Sequence, residues 1–259
     1  MDLQEAAKLL PHANALKDVN NETVTSKQII SRGTTHAILA HLYAWKASLN
    51  DEPELNQLAL SECDSVLSYK YYQLAENIRD VCEIVMLGNS DEGIFELDYR
   101  DTDFDFITYG SRLAGFCQSF PIVPLATPQT KRRNLRINNK TVYALYPDAN
   151  DDRRKEYFYN LDYYNSLSTS ITQGAAYIQK IRHYTTYNDG IQVGRIKSYL
   201  DNEIIIRLAD IILLRAELKE KTGDRTGAKA DLNVIRQRAN TNVYDENEGS
   251  LKEAIQNER

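Results

Sequence analysis

Residues 205–217 read IIRLADIILLRAE, and residues 228–239 read AKADLNVIRQRA. Apolar residues recur in both stretches at intervals of three and four, which is the period of an amphipathic helix. The pattern predicts one helix over residues 203–221 and a second over residues 226–239. Between them lies a short Thr-Gly-Asp turn, in which Gly223 suits the left-handed backbone that ends a helix. The two stretches therefore predict an antiparallel helical hairpin.

A second hairpin with the same internal spacing is predicted nearer the N-terminus. Six positions in each hairpin fall at steps 0, 1, 4, 8, 20 and 24, and the small residues among them let two antiparallel helices approach closely. The two sets are Leu39, Ala40, Tyr43, Ala47, Ala59 and Cys63, and Leu208, Ala209, Ile212, Ala216, Ala228 and Leu232. This spacing is typical of tetratricopeptide helix–turn–helix repeats, lengthened here by about two helical turns. Two copies are fewer than a solenoid needs, so we expect further repeats or a supporting body.

The composition and the residue pattern of the sequence change twice along the chain. We expect residues 1–87 to be helical, residues 88–200 to be a loop-rich insertion with a few short strands, and residues 201–259 to form the helical hairpin. The middle zone holds four of the six prolines and the alternating stretch Ile94–Tyr99, which predicts a strand. Long loops of this kind are usually functional. The predicted fold class is mainly α, with tetratricopeptide-like hairpins in a single domain over residues 1–259.

Four helices are predicted within the first zone. Asp2 is a suitable N-cap, Pro11 ends the first helix, and Pro53 suits the first turn of the third. The predicted helices cover residues 2–10, 34–49, 51–67 and 71–87.

Composition excludes several classes of protein. Hydrophobic residues make up 42% and charged residues 26% of the 259 residues, which is ordinary for a globular protein. The net charge of −6 argues against a nucleic-acid partner, and no stretch approaches the ~20 apolar residues of a membrane-spanning helix. Cys63, Cys82 and Cys117 are an odd, widely spaced set, which predicts buried free thiols rather than disulfides or a zinc site.

The two ends of the sequence predict that the chain is a fragment. The first residues have neither the basic nor the apolar region of a signal peptide. Residues 251–259 still have a helical pattern, with no Gly or Pro to end it.

No metal site, cofactor site or catalytic motif is predicted. Residues 101–105 and 148–152 resemble the start of a calcium loop, but each lacks the glycine and the glutamate that complete it, which favours a solvated acidic loop over an irregular calcium site. His36 and His41 are five residues apart and so point to different faces of a helix. The sequence contains no nucleophile motif and no glycine-rich phosphate loop. The sequence does not exclude a pair of carboxylates that hydrolyses glycosides, because such a pair is defined by its distance in space and not by its spacing in sequence. We expect a protein that is not an enzyme.

Two aromatic clusters in the middle zone are the candidate binding surface. Aromatic faces stack on the C–H faces of sugar rings, and nearby charged or amide groups bind the hydroxyls. The alternative is that these rings anchor the loops onto the helical body. The clusters contain Tyr99, Phe104, Phe106, Tyr109, Phe116 and Phe120, and Tyr157, Phe158, Tyr159, Tyr163 and Tyr164. We select Tyr109 and Phe116 as stacking residues and Arg112 as a hydroxyl ligand. The basic run over residues 131–136 is interpreted as a solvated loop.

Five segments carry motifs that matter as an ordered set: residues 32–43, 92–97, 146–158, 177–180, and 205–217 with 228–239. Together, in this order, they resemble the SusD/RagB family of outer-membrane nutrient-binding lipoproteins of Bacteroidota. The resemblance spans nearly all of this chain and about the second half of a typical member. Asp210 stands where the family usually has Glu, the closing family block stops after Arg259, and the lipid-attachment cysteine and leader are absent from this chain.

The resemblance implies a tetratricopeptide-like scaffold that carries loop insertions and performs no covalent chemistry. It implies an outer-membrane, cell-surface lipoprotein that caps a TonB-dependent, SusC-like transporter with its helical side. The loops would capture an oligosaccharide, or a peptide in some members, by aromatic stacking. Two rivals remain. One is a cytoplasmic tetratricopeptide scaffold that binds a partner protein, and the other is a glycoside hydrolase.

Overall fold

The computed structural model describes residues 2–98, 117, 121–122, 136–167, 173–194 and 196–259. Helices dominate the described chain, which confirms the mainly α fold class. The longer helices are α1 (Asp2–Leu9), α2 (Arg32–Leu49), α3 (Leu55–Ser68), α5 (Asn139–Leu145), α6 (Asp152–Tyr157), α7 (Leu161–Ser166), α8 (Leu208–Lys221), α9 (Arg225–Arg238) and α10 (Leu251–Glu258), and α4 is one short turn (Ile78–Asp80).

Within the described ranges, six short strands pair into three antiparallel two-stranded sheets. They are β1 (Gly93–Leu97) with β6 (Glu203–Arg207), β2 (Arg136–Asn138) with β3 (Ala175–Tyr177), and β4 (Tyr184–Thr186) with β5 (Ile196–Tyr199). The predicted strand at Ile94–Tyr99 is therefore present as β1 as far as Leu97, and Tyr99 lies outside the described residues. In the first sheet, Phe95 pairs with Ile206 and Leu97 pairs with Glu203, so this ladder joins segments more than 100 residues apart in sequence.

The predicted helix over residues 203–221 is wrong in its first turn. Residues Glu203–Arg207 form β6, and the helix begins only at Leu208. Three consecutive isoleucines favour a strand because β-branched side chains pack well on a pleated surface. Their partner strand β1 lies far away in sequence, so local patterns do not reveal the pairing. The helical period of residues 208–221 was therefore extended wrongly to Glu203.

Both predicted hairpins are present, and they share one core. Helix α2 packs on α3, α8 packs on α9, and α3 also packs on α8. The alanines of the repeated spacing lie at these contacts with no exposed surface or almost none, which lets the helix backbones approach closely. The buried alanines are Ala40, Ala47, Ala59, Ala209, Ala216 and Ala228.

Local capping sets the ends of these helices. Ser31 caps α2: its Oγ accepts a hydrogen bond from the backbone N–H of Thr34, and Thr34 Oγ1 accepts one from the backbone N–H of Ser31. Helix α2 therefore begins at Arg32, two residues before the predicted start. Asp224 caps α9 by accepting a hydrogen bond from Gly227 N at 2.9 Å, and Gly223 has the predicted left-handed backbone at φ 91°.

The helix predicted over residues 71–87 is present only in its second half, where it is irregular. Its first part is a loop, held where Glu92 accepts a hydrogen bond from Ala75 N at 2.8 Å. Asn77 then caps the short helix α4 through a hydrogen bond from Asp80 N at 2.9 Å, and a π-helical turn over Val81–Val85 follows. Side-chain acceptors for backbone N–H groups therefore replace the continuous helical ladder.

An apolar stripe runs along α2, from Ile38, which packs against the core, to side chains that are exposed. Ile38, Leu42, Trp45 and Leu49 are spaced by four, three and four residues, which places them on one face of the helix. Trp45 is 61% exposed, and Leu42 and Leu49 are exposed as well. A stripe of this kind is typical of a helix surface that another polypeptide covers.

The cysteines are buried, and His36 and His41 each have a carboxylate partner. The three cysteines are buried and free, as predicted, and burial raises the pKa of Cys82 to about 11. His36 Nδ1 lies 2.5 Å from Glu62, whereas His41 Nε2 lies 2.8 Å from Asp210, so the two rings face different helices.

In the part of the chain that the structure describes, no group of three or more His, Cys, Asp or Glu residues is placed to hold a metal ion. None of the described helices has the length and hydropathy needed to cross a membrane.

Candidate functional site

The three selected ligand contacts, Tyr109, Arg112 and Phe116, lie outside the described residues. The calcium-like motif at residues 101–105 and the basic residues 131–135 lie outside them too. The second motif, over residues 148–152, forms a hydrogen-bonded turn in which Asp148 accepts from Asn150 N at 2.9 Å and from Thr241 Oγ1 at 3.2 Å. The backbone hydrogen bond from Asn150 contributes most to holding the pKa of Asp148 below its ordinary value.

The rings of the second aromatic cluster range from buried, through half-buried at Tyr159 and Tyr164, to exposed at Tyr163. Tyr157 and Phe158 are buried in a small core, as the anchoring alternative expects. Tyr163 is 59% exposed. Its ring packs edge-on against Tyr164 with centroids 5.1 Å apart, and Tyr164 packs against Tyr177 at 5.3 Å. These contacts hold Tyr163 against the body of the protein, and its exposed surface leaves the ring accessible to a ligand.

A polar groove of about 710 Å³ lies beside Tyr163. Its walls are α6, the start of α7, and the turn that follows α9. Carboxylates, amides and two cations line it, together with the buried Phe158. The polar lining residues are Asn150, Asp151, Asp152, Arg154, Lys155, Glu156, Asn160, Asp162, Gln179 and Asn240.

Backbone pairing makes the floor of the groove rigid. Gln179 N donates to Tyr157 O at 2.8 Å, and Tyr159 N donates to Tyr177 O at 2.9 Å, so the chain after α6 is joined to the chain after β3. The side chain of Gln179 donates to Lys155 O at 2.8 Å. Asp152 N donates to Ala239 O at 2.9 Å, which joins α6 to the end of α9. The groove is therefore built on fixed elements, as a binding site requires.

Ion pairs and ring contacts position the basic side chains of α6. Arg153 pairs with Asp151 through two nitrogens and with Glu258 through a third, and it lies 4.9 Å from the ring centroid of Tyr146. Arg154 lies 4.6 Å from the ring centroid of Tyr143. The Tyr143 hydroxyl donates to Asp162 Oδ1 at 2.6 Å. Partial burial, followed by this hydrogen bond, raises the pKa of Tyr143.

The side-chain amide of Asn160 lines the groove and is available for hydrogen bonds to a ligand. It sits between α6 and α7 with a left-handed backbone at φ 44°, and its side chain does not cap α7. Within the described ranges, its amide has no hydrogen-bond partner. An amide that both donates and accepts, beside an exposed tyrosine and carboxylates, is suited to the hydroxyl pairs of a sugar.

Several lining residues were not predicted. The sequence pointed to Tyr163 through its aromatic neighbours, but it gave no signal for Asn160, Asp162 or Gln179. Gln179 reaches the groove only because residues 177–179 pair with residues 157–159, a contact that local patterns do not report. The left-handed position of Asn160 is compatible with its residue type, since Asn tolerates that conformation.

The sequence of this chain matches the family model described as the SusD family over residues 125–259, just over half of the chain. A comparison with curated proteins finds no match.

The fold is also similar to solved structures. A SusD homologue from Bacteroides thetaiotaomicron VPI-5482 is 23% identical with a TM-score of 0.74, and the alignment covers 100% of this chain and 52% of that one. Surface glycan-binding protein A from Bacteroides thetaiotaomicron is 23% identical with a TM-score of 0.67, covering 99% of this chain and 55% of that one. The chain thus spans about half the length of these structures, and together with the family match the comparison shows that this protein belongs to the SusD family.

Proposed function

We propose that this chain is part of a cell-surface protein that binds oligosaccharides for uptake without altering them. The observation that carries the proposal is the exposed ring of Tyr163 beside a groove lined with amides and carboxylates. Rings of this kind stack on sugar faces, and the polar groups exchange hydrogen bonds with sugar hydroxyls. Family membership supports the same function, as does the similarity to a structure named as a surface glycan-binding protein.

The binding proposal is tested by isothermal titration of the protein against a panel of oligosaccharides and peptides. We expect at least one oligosaccharide to bind, and we expect Tyr163→Ala to weaken that binding. Trp45→Ala is the matched control because it removes an exposed aromatic ring from α2, which does not line the groove. If every oligosaccharide fails to bind, or if the two variants behave alike, the groove is not a saccharide site. Binding of peptides alone would replace the oligosaccharide proposal by a peptide one.

We further propose delivery of the ligand to a TonB-dependent outer-membrane transporter, and attachment to the outer membrane as a lipoprotein. Family membership supports both. The test is to isolate outer membranes from cells that express the whole protein and to purify it through an affinity tag. Co-purification of a transporter barrel is expected. Its absence, together with unchanged sugar uptake in a deletion strain, would contradict the transporter proposal.

The glycoside hydrolase rival has its own test. A hydrolase needs a carboxylic acid that protonates the glycosidic oxygen and a second carboxylate across the bond. Asp152 and Asp162 in the groove are the residues on which such a rival would depend. We expect no release of reducing sugar from any oligosaccharide that binds. If the wild type releases reducing sugar and Asp162→Asn does not, the protein is a glycoside hydrolase.

A further inference from the structure

A cavity of about 560 Å³ lies apart from the groove, and helix α6 separates the two. Arg153 and Tyr157, one turn apart on α6, line the cavity, whereas Arg154 and Lys155 line the groove. The same alternation continues after β3, where Lys180 lines the cavity and its neighbour Gln179 lines the groove. Among the described residues, none lines both spaces.

A buried carboxylate lies behind the wall of the cavity and is shared by two arginines. Glu92 accepts a hydrogen bond from Arg207 Nη1 at 2.5 Å and another from Arg238 Nη1 at 2.8 Å, and its side chain has no exposed surface. Burial opposes ionisation of Glu92, but the two guanidinium groups outweigh burial and hold its pKa below the ordinary value. One negative charge therefore faces two positive charges.

Lys180 adds a third positive charge to this wall. Its Nζ lies 4.7 Å from the ring centroid of Tyr157, and in the described part of the chain it has no carboxylate partner. Burial, followed by repulsion from Arg207 and Arg238, lowers the pKa of Lys180 to about 8. At neutral pH the cluster of Glu92, Arg207, Arg238 and Lys180 therefore has an excess of positive charge.

Arg238 also has an unused donor in this cluster. Its side chain is only 5% exposed, and its Nε has no hydrogen-bond partner among the described residues. A buried donor without an acceptor is unfavourable, and such groups normally have a protein, water or ligand partner. Because Arg238 lines the cavity, an acceptor bound there would contact the side chain that carries this unpaired donor.

Two acidic residues of the lining have partners outside this cluster, although the charge of Asp210 also acts on Arg207. Asp210 lies 2.8 Å from His41 Nε2, and Glu258 pairs with Arg153 and with Arg236. Glu203 is exposed, and its neighbour Ile205 is 47% exposed, so this edge of the cavity reaches the surface. The fifth cation of the lining, Arg259, pairs with Glu217 and faces Asp210 at 3.9 Å.

We propose that this cavity binds the carboxylate of an anionic ligand, with Arg238 and Lys180 as its donors and Arg207 as a further positive charge. A carboxylate fits because it is planar, accepts several hydrogen bonds and forms strong charge-assisted pairs with guanidinium and ammonium groups. The volume is that of a small-ligand site. A free carboxylic acid and a uronic acid unit of a saccharide have this chemistry in common. The proposal does not depend on saccharide binding in the groove.

The test is titration of the protein at pH 7 with glucuronate, acetate and glucose. We expect glucuronate, acetate or both to bind, and glucose not to bind at this site. Lys180→Met is expected to weaken carboxylate binding at least tenfold. The matched control is Lys229→Met, since Lys229 also lies over a tyrosine ring, at 5.3 Å from the centroid of Tyr244, but does not line the cavity. Tyr163→Ala should leave carboxylate binding unchanged, which separates this site from the groove.

A second variant covers the case in which Lys180→Met does not fold, as judged by circular dichroism. Arg238→Lys keeps a positive charge but removes Nε, and it should weaken the same binding. Tighter binding of glucuronate than of acetate identifies a uronic acid site, and equal binding identifies a site for any carboxylate. The proposal is overturned if neither acid binds, if glucose binds as well as glucuronate, or if the folded variants bind like the wild type.

Discussion

The carboxylate of Glu92 accepts a hydrogen bond from Arg207 at 2.5 Å and so joins the chain just before β1 to the last residue of β6. The same carboxylate binds Arg238, the last residue of α9. These three residues connect the sheet to both ends of the second hairpin. Because the Glu92 carboxylate has no exposed surface, the loss of this single acid leaves two guanidinium charges without a partner.

Glu92→Ala is therefore expected to destabilise the protein by about 3–5 kcal/mol, the range found when one partner of a buried ion pair is removed. The free energy of unfolding from urea titrations measures it. Glu22→Ala is the control, because Glu22 is exposed and forms no ion pair among the described residues, and it should change stability by less than about 0.5 kcal/mol. A loss below about 1 kcal/mol for Glu92→Ala would show that the cluster is not a structural junction.

The contacts of Ala59 show how much of the fold is predictable. Ala59 on α3 has no exposed surface, and it belongs to the core that α2, α3 and α8 share. A helical period and small residues at fixed steps are local patterns, and they predict both hairpins without any information about contacts between distant residues. The same reasoning extended α8 over Glu203–Arg207, because the partner strand of that segment lies more than 100 residues away.

The groove was less predictable than the helices for the same physical reason. Its aromatic residue, Tyr163, belongs to a cluster that is visible in the sequence. Gln179 and Asn240 enter the groove from distant segments that meet α6 only in the folded chain. The buried ion pairs of Glu92 are likewise formed between residues 115 and 146 positions apart. Local patterns do not report contacts over such separations.

Ala59→Leu tests whether close helix contact holds the hairpins together. The added side chain has no space at a position without exposed surface, and overpacking of this kind destabilises a protein by about 1–3 kcal/mol. Thermal unfolding measures the change. Ala144→Leu is the control because Ala144 is an exposed position on α5, and it should leave the melting temperature nearly unchanged. Equal melting temperatures for the two variants would refute close packing at Ala59.

His183 should make stability depend on pH. Its Nδ1 lies 2.8 Å from the buried Asp201, and Glu83 faces its Nε2 at 3.4 Å. The hydrogen bond with Asp201 contributes most to raising the pKa of His183. Because the folded pKa lies above the unfolded value of about 6.5, the contribution is complete below that value and is lost as the pH rises through the folded pKa.

Comparison of the wild type with His183→Gln isolates this contribution, since the other titrating groups are common to both proteins. The difference in unfolding free energy should be larger at pH 5.5 than at pH 9. Urea titrations at several pH values measure it. A difference that stays constant across this range would mean that protonation of His183 does not stabilise the fold.

Asn160→Gly separates binding from folding in the groove. The backbone at φ 44° is left-handed, a conformation that glycine adopts without steric penalty, so stability should be unchanged or slightly higher. Under the saccharide proposal, the lost amide should weaken binding by about 0.5–1.5 kcal/mol, the net value of one hydrogen bond. The control is Asn21→Gly, which has the same backbone conformation at φ 64° outside the groove. An unchanged affinity in Asn160→Gly would remove this amide from the site.

Tyr109→Ala tests the contacts that were selected from the sequence alone. Tyr109, Arg112 and Phe116 follow β1 in a stretch rich in aromatic residues, and a ring that stacks fully on a sugar contributes both its buried area and its face-specific attraction. Its removal should weaken oligosaccharide binding by roughly 1–2 kcal/mol, which is about five- to thirtyfold in the dissociation constant. Titration measures it, with Trp45→Ala as the control. If Tyr163→Ala weakens binding while Tyr109→Ala does not, the ligand contacts the groove and not this stretch.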